Sequence, residues 1–344
     1  GGPLLAALGM GCGLVLGRSR RLASLVLRWL ALGCTLYAAA AIAWYLHAPD
    51  HVLWWRKSAH TGDLTATFTN RNTAAIFIGF TLLILATRIA SILVQLSTRE
   101  RRRGSGRAQT RALRRLAATF AAAVLCCTAL VLTNSRAGLV LSLAGAALAI
   151  FLRMRGRGGA TGTGWLAVGA LFAIPMLLAL ALETRLGESL GDGGRLATYR
   201  ATLHMIQASP WFGVGLGSFA VAFPQWRLAE APMWGIWDRA HNTLLEVAAE
   251  MGVPAALLLA LLWIAALVLV GRSVLRRPDL TTVAPFAIMF LGLGHSMVDF
   301  SIQIPGCAAF FYLCAGIGIG RALDRAWRRR AAALPDTGAP VPAD

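Results

Sequence analysis

The stretch "LLEVAAEMGVPAALLLALLWIAALVLV" at residues 244–270 is almost entirely apolar, and its length decides the class of fold. A helix that crosses about 30 Å of hydrocarbon needs roughly 20 predominantly apolar residues. The rest of the chain has the same character, since 57% of its 344 residues are hydrophobic and 14% are charged. The mean hydropathy of +0.63 is far above that of a soluble domain. The sequence therefore predicts an integral membrane protein.

Nine apolar stretches of this kind predict an all-α, polytopic bundle of transmembrane helices that forms a single domain over residues 1–344. They lie at about residues 3–17, 22–46, 73–96, 116–132, 137–152, 165–182, 244–270, 283–301 and 307–320. The chain begins with Gly-Gly rather than Met, and its first stretch is short. We therefore expect a truncated or processed N-terminus, with more spans upstream.

The distribution of basic residues predicts the orientation of the bundle, because cytoplasmic loops carry an excess of Lys and Arg. When alternate loops are assigned to alternate sides, one side holds more than twice as many basic residues as the other. The richer side includes a basic loop at residues 98–115 and a tail at residues 321–344 whose end we expect to be disordered. We assign this side to the cytoplasm. The net charge of +18 is split into short clusters between apolar runs, which argues against nucleic acid as a partner.

The opposite side carries two long loops, at residues 47–72 and 183–242, and most of the eleven tryptophans lie in or beside them. Tryptophan is typical of the headgroup boundary. Within the larger loop, residues 191–210 predict an interfacial amphipathic helix with an apolar stripe of Leu196, Tyr199, Leu203 and Ile206. The arginines of this helix either are solvated on a lid or, at Arg195 and Arg200, donate to a phosphate group.

Few other motifs indicate chemistry. The chain has no GxxxxGK[ST] phosphate loop and no metal-type spacing of Cys or His, and "GVGLGS" at residues 213–218 predicts only a tight loop. Arg136 in "TNSRAG" lies between short spans, so it either reaches outer water or meets an anion. His295 and Asp299 are spaced to share one helix face, where they form either a buried hydrogen bond or part of a site.

The segment "RAHNTLLEVAAEMG" at residues 239–252 holds the most suggestive histidine. Thr243 to Glu246 reads T-x-x-E before an apolar run, which predicts a capping box with threonine as the N-cap. This leaves His241 without a structural explanation. The positive end of the following helix disfavours imidazolium, so we expect a neutral ring that can accept a proton beside a natural anion site.

Five segments together resemble the bacterial O-antigen ligase and polymerase superfamily. They are "TNRNTAA" (69–75), "TNSRAG" (133–138), "GGRLATYRATLHMIQASPWFGVGLGSF" (193–219), "RAHNTLLEVAAEMG" (239–252) and "HSMVDFSIQIPG" (295–306). The resemblance runs over roughly residues 65–320 and rests on the order of the motifs and their common outer side. It implies a multi-pass glycosyltransferase of GT-C-like architecture in the inner membrane. It also implies transfer of a glycan from undecaprenyl diphosphate to a periplasmic acceptor, with neither a metal nor another cofactor.

By position in the motifs, the resemblance implies that His241 is the catalytic base, supported by Asn242, Tyr199, His295 and Asp299. The implied ligands of the donor diphosphate are the arginines of the outer side, namely Arg136, Arg195, Arg200, Arg239 and Arg71.

Two questions stay open from the sequence. The acceptor can be lipid A-core, a growing glycan or a protein, and all three enzyme types share these motifs. A second class of function is a transporter or flippase of a lipid-linked anionic polymer. Transporters usually show internal repeats and charges near the bilayer midplane, whereas here the polar residues gather at one face.

Overall fold

The computed structural model describes residues 2–100, 106–155, 193–227 and 237–333, and these fold almost entirely into helices. The helices are α1 (Gly2–Arg18), α2 (Arg20–His47), α3 (Arg71–Glu100), α4 (Gly106–Leu132), α5 (Arg136–Met154), α6 (Gly193–Ala208), α7 (Phe219–Ala222), α8 (Thr243–Met251), α9 (Val253–Arg276), α10 (Leu280–His295) and α11 (Pro305–Ala333). An antiparallel ribbon joins β1 (His51–Val52) to β2 (Trp55–Arg56), and short 3-10 helices lie at Phe223–Trp226 and Ser301–Gln303. The expected span at residues 165–182 lies outside the described residues.

Within the described part of the chain, six helices are long and apolar enough to cross a membrane, namely α2, α3, α4, α5, α9 and α11. Two shorter apolar helices, α1 and α10, accompany them. The all-α, multi-pass membrane architecture is therefore confirmed, while the full number of spans stays a prediction. The last helix continues to Ala333, so the first half of the expected tail is helical.

The helix ends gather at two opposite ends of the bundle. At one end, the backbone of Leu64 donates to Leu132 at 2.8 Å. At the other end, Arg20 and Arg325 both contact Asp279. The end that carries Leu64 is called the His241 end below, and the other is called the arginine end. Successive loops of the described chain lie alternately at the two ends, as the assignment of alternate loops to alternate sides predicts.

Helix α3 forms the centre of the bundle and contacts α2, α4, α5, α10 and α11. Its middle is buried on all sides, with Phe80 and Leu83 fully inaccessible. Small residues permit close approach to α5, since a Cβ at Gly79 or Gly138 would overlap Ser142 or Ala75. Helix α3 therefore fixes the positions of the helices that carry the polar turns of the His241 end.

The expected continuous span at residues 244–270 is wrong, because the chain breaks between α8 and α9. Gly252 takes a left-handed φ of 88°, and a Cβ there would collide with the carbonyl of Trp211. The preceding loop docks on the break, as Val253 donates to Pro210 at 2.8 Å and Gly215 donates to Glu250 at 2.8 Å. The tight loop expected at residues 213–218 is confirmed, with three glycines at positive φ.

The predicted capping box is displaced by one residue. Asn242, not Thr243, is the N-cap of α8, and its side-chain oxygen accepts from the backbone of Leu245 at 3.1 Å. Glu246 does reach back along the chain, but to the backbone of Ala240 at 2.9 Å. The T-x-x-E pattern thus locates the start of α8 correctly, but Thr243 is not the residue that caps it.

Helix α6 forms where it was expected, but only half of its apolar stripe, Tyr199 and Ile206, packs on neighbouring elements. Leu196 and Leu203 are 51% and 45% exposed. The buried face consists of small and polar residues, together with Met205, and includes Thr198 and Thr202. Since the exposed leucines need an apolar surrounding, this arrangement suits a helix that lies at a membrane surface.

Glycines also bring α1 and α11 into direct backbone contact. Gly13 and Gly17 on α1 face Gly316 and Gly320 on α11, and a Cβ at any of these four positions would overlap the backbone of the other helix. Both pairs follow the G-x-x-x-G spacing that lets membrane helices approach closely. The packing depends on the absence of side chains at these positions.

We predict that Gly13→Val destabilises the protein by about 1–3 kcal/mol, because the new side chain overlaps the carbonyl of Leu313 and forces the helices apart. Gly11→Val is the matched control, since nothing lies within 4 Å of a Cβ at Gly11. Both variants carry the same cost of a β-branched residue in a helix. Unfolding followed by circular dichroism in detergent micelles measures the difference. Equal losses in the two variants would contradict the packing argument.

Candidate active site

His241 lies in the turn that precedes α8, and its backbone takes a left-handed φ of 57°. Its Nδ1 is 3.0 Å from the backbone oxygen of Arg239. A carbonyl oxygen only accepts, so this contact fixes the proton on Nδ1 of the neutral ring. Nε2 then carries the lone pair, which is the arrangement that a general base requires.

The surroundings of His241 keep the ring neutral. Burial lowers the pKa of His241 below the ordinary value of 6.5. The negative charge of Asp299 and the hydrogen bond to Arg239 oppose this effect, while the positive charge of Arg195 adds to it. Desolvation is the largest of these influences, as expected for a partly enclosed imidazole.

Aromatic side chains enclose the ring and fix its direction. The centroids of Trp237 and Phe300 each lie 5.1 Å from that of His241, with the Phe300 ring edge-on. From α6, the Tyr199 hydroxyl donates to the backbone oxygen of His241 at 3.1 Å. This hydrogen bond ties α6 to the histidine turn, while a supporting role of Tyr199 in the reaction stays a prediction.

The backbone of the histidine turn is held by a buried carboxylate. Glu246 accepts from Nη1 of Arg239 at 3.0 Å and from the backbone of Ala240 at 2.9 Å. Arg239 also donates to the side-chain oxygen of Gln303 at 3.0 Å. Asn242 donates to the backbone oxygen of Met297 at 2.9 Å, which joins the turn to the segment after α10.

Of the two alternatives for His295 and Asp299, the hydrogen bond on a shared helix face is wrong, while a role of either residue in the site stays a prediction. Helix α10 ends at His295, so the two residues do not share a helix face. Asp299 instead accepts from Asn72 at 2.8 Å and from Ser301. His295 is 1% exposed, and no hydrogen-bond partner for its ring nitrogens lies among the described residues. Asp299 nevertheless lies close enough to influence His241 electrostatically.

A polar network at the His241 end was not predicted from sequence. Asn72, on α3, accepts from Ser135 at 2.8 Å and donates to Asp299. These three side chains therefore form a continuous chain of hydrogen bonds from the segment after α10, through α3, to the start of α5. Asp63 in the first outer loop accepts from Asn134 at 2.6 Å. The contacts join residues far apart in sequence, and the asparagines within "TNRNTAA" and "TNSRAG" were the only signal of them.

His60 is a second histidine that the fold brings to this end. Its Nδ1 lies 3.9 Å from the Asp63 carboxylate. Burial, followed by the positive charge of Arg71, lowers the pKa of His60. The charge of Asp299 raises it, so His60 and His241 are both influenced by the same carboxylate.

The five arginines of the predicted diphosphate site differ in their surroundings. Arg71 and Arg239 form ion pairs with Asp63 at 2.9 Å and with Glu246 at 3.0 Å. Arg195 is partly buried and lowers the pKa of His241. The other two arginines, Arg136 at the first residue of α5 and Arg200 on α6, are exposed. Among these five arginines, the charge of Arg195 acts on the candidate base, and no described contact joins Arg200 to it.

Among residues 2–100, 106–155, 193–227 and 237–333, no cluster of His, Cys, Asp and Glu is arranged to hold a metal ion. The cysteines in this part of the chain are free thiols. Imidazole, carboxylate and guanidinium groups are present at the His241 end.

Comparison with known proteins identifies one family. A family model described as O-Antigen ligase matches residues 121–260. This range contains His241, Glu246 and the arginines at 136, 195, 200 and 239, while Arg71, His295 and Asp299 lie beyond it. A search of curated proteins gives no match. Residues 121–260 are therefore similar to the O-antigen ligase family, and the predicted resemblance to the O-antigen ligase superfamily is confirmed.

Proposed function

We propose that this protein is a membrane glycosyltransferase that moves a glycan from undecaprenyl diphosphate to an acceptor hydroxyl at the His241 end of the bundle. The family match supports a glycan transferase of ligase or polymerase type. The predicted excess of basic residues at the arginine end supports a periplasmic position for the His241 end. The acceptor is lipid A-core, a growing glycan or a protein.

The observation that carries this proposal is the fixed tautomer of His241. The contact of Nδ1 with the oxygen of Arg239 leaves Nε2 to accept a proton, and burial keeps the ring neutral. In the reaction, Nε2 takes the proton of the acceptor hydroxyl as the acceptor oxygen forms its bond to the anomeric carbon. The bond from that carbon to the diphosphate oxygen breaks, and the electron pair leaves with undecaprenyl diphosphate.

The arginines stabilise the charge that develops on the departing diphosphate. Arg195 is the first candidate because its charge already influences His241. Arg136 is the second, because it is exposed at the start of α5, where free backbone N–H groups also attract an anion. Arg200 extends the same basic surface along α6. The ion pairs of Arg71 and Arg239 favour a role in holding the loops.

We predict that His241→Ala lowers the rate of transfer by about 10²–10⁴-fold, since a general base contributes a factor of that size. The assay uses full-length protein in lipid vesicles, undecaprenyl diphosphate-linked glycan and the three classes of acceptor. Membrane insertion and donor binding should stay at wild-type levels.

His204→Ala is the matched control, because His204 is exposed on α6 at the same end. It should transfer glycan as the wild type does. Near-normal turnover in His241→Ala would overturn the assignment of the base. Movement of donor across the bilayer without formation of a glycosidic bond would favour a flippase instead.

A second prediction concerns pH. Because burial disfavours imidazolium, His241 should remain a competent base at lower pH than an ordinary histidine. The profile of kcat/KM should therefore fall on the acid side with a midpoint below 6.5. His60→Gln is the control, since the pKa of His60 is also lowered and its removal should leave the midpoint in place. A midpoint above 6.5 would contradict the assignment.

A third prediction distinguishes the role of Arg195 from the roles of the other arginines at the His241 end. Arg195→Gln removes a donor to the diphosphate and should reduce kcat/KM by about 10²–10³-fold. It also removes a positive charge that lowers the pKa of His241, so the acid limb should move to higher pH. Arg56→Gln, at an exposed site on β2, is the control and should change neither quantity. An unchanged acid limb in Arg195→Gln would show that Arg195 does not act beside the base.

A further inference from the structure

The arginine end of the bundle contains a large open cavity that the proposed reaction does not use. Its volume is about 1320 Å³, and its described lining includes ten arginines but only two aspartates. The cavity lies where α1, α5, α9 and α11 end and α2 and α10 begin. It is therefore at the face opposite His241.

A smaller cavity of about 240 Å³ adjoins it. Arg20, Arg153 and Asp279 line both cavities, so the two form one basic surface. The smaller cavity adds Arg28 and other arginines from α3 and α4. Two adjoining basic compartments of unequal size are thus present at this end.

The carboxylates in the walls are already engaged. Asp279 contacts Arg325 at 2.7 Å and Arg20 at 3.4 Å. Asp324 contacts Arg321 at 2.7 Å, and a further arginine of α11 at 2.9 Å. Since each carboxylate is shared by two arginines, most of the positive charge in the described lining is not neutralised by acidic groups of that lining.

Some of these arginines are buried or partly buried in the walls rather than spread over the surface. Arg153 is 6% exposed and donates to Ser91 at 2.8 Å. The side chains of Arg325 and Arg321 are 10% and 13% exposed. If these arginines served only to orient the protein in the membrane, they could lie in exposed loops, where the charge does not carry the free-energy cost of burial. Arg325 and Arg321 are paired with aspartates, but ten arginines in the described lining against two aspartates leave a net positive cavity, which indicates an anionic ligand.

The depth of the cavity indicates that the ligand is a lipid. The surrounding helices α2, α5, α9 and α11 are candidate membrane spans, so their ends lie near the headgroups. Apolar side chains, among them Leu152 and the exposed Leu275, line the same cavity. A site with arginines beside apolar residues at this level matches a phosphate headgroup that continues into acyl chains.

We propose that the joined cavities at the arginine end bind an anionic phospholipid through its phosphate groups. A lipid with two phosphates fits the two basic compartments. Arg153 and Arg20, which line both compartments, lie between the phosphates. Bound in this way, the lipid supplies negative charge to the described part of the walls, where arginines outnumber aspartates, and joins helices that come from distant parts of the sequence.

The test measures binding of cardiolipin to the purified full-length protein in a neutral detergent, by native mass spectrometry, with phosphatidylcholine as the zwitterionic comparison. The variant Arg155→Gln/Arg276→Gln/Arg329→Gln removes three exposed lining residues and keeps the buried arginines. We expect cardiolipin to bind the wild type in preference to phosphatidylcholine. The variant should bind cardiolipin about a hundredfold more weakly.

The matched control is Arg107→Gln/Arg111→Gln/Arg114→Gln, which removes the same charge from exposed positions on α4 that do not line the cavities. It should keep wild-type affinity for cardiolipin. Equal weakening in both variants, or equal binding of the two lipids, would overturn the proposal. Inorganic tripolyphosphate tests whether the ligand is a soluble polyanion instead of a lipid. If it binds as tightly as cardiolipin, the cavity takes a soluble polyanion and the lipid assignment is wrong.

Discussion

The loops that surround the candidate site depend on two buried carboxylates in α8. Glu246 holds the backbone of Ala240 and the side chain of Arg239, and Arg239 in turn supplies the carbonyl that orients His241. One helical turn later, Glu250 accepts from the backbone of Gly217 and Phe219, each at 2.9 Å. A nine-residue helix thus fixes the loops on both of its sides. Without these carboxylates, buried backbone N–H groups would lose their partners, which is costly in a membrane protein.

The sequence predicts where the helices lie much better than which of their faces pack together. In a soluble protein an apolar stripe faces the core, because the opposite face meets water. At a membrane the opposite face can be apolar as well, so the stripe of Leu196 and Leu203 is exposed while threonines are buried. Similarly, Gly252 and Pro254 are the local signs of a break in the apolar run at residues 244–270, but the break itself depends on the docking of a loop.

The candidate site was predictable only in part, for a related reason. His241 is recognisable because no local structural role explains it, and Tyr199 and Asn242 are close to it in the fold, as expected. Asn72 contacts Asp299 across 227 residues of sequence, and no local pattern predicts such a bond. The spacing of His295 and Asp299 places them on one helix face only if the helix continues beyond His295, and α10 ends there.

The contact between α1 and α11 has a consequence for how the protein is assembled. Helices enter the membrane in the order of synthesis, and some 300 residues separate Gly13 from Gly316. The glycine face of α1 therefore meets lipid, or another helix, until α11 has been inserted. Closure of this pair is a late step of folding, and it joins α1 to a bundle whose centre, at α3, is already formed.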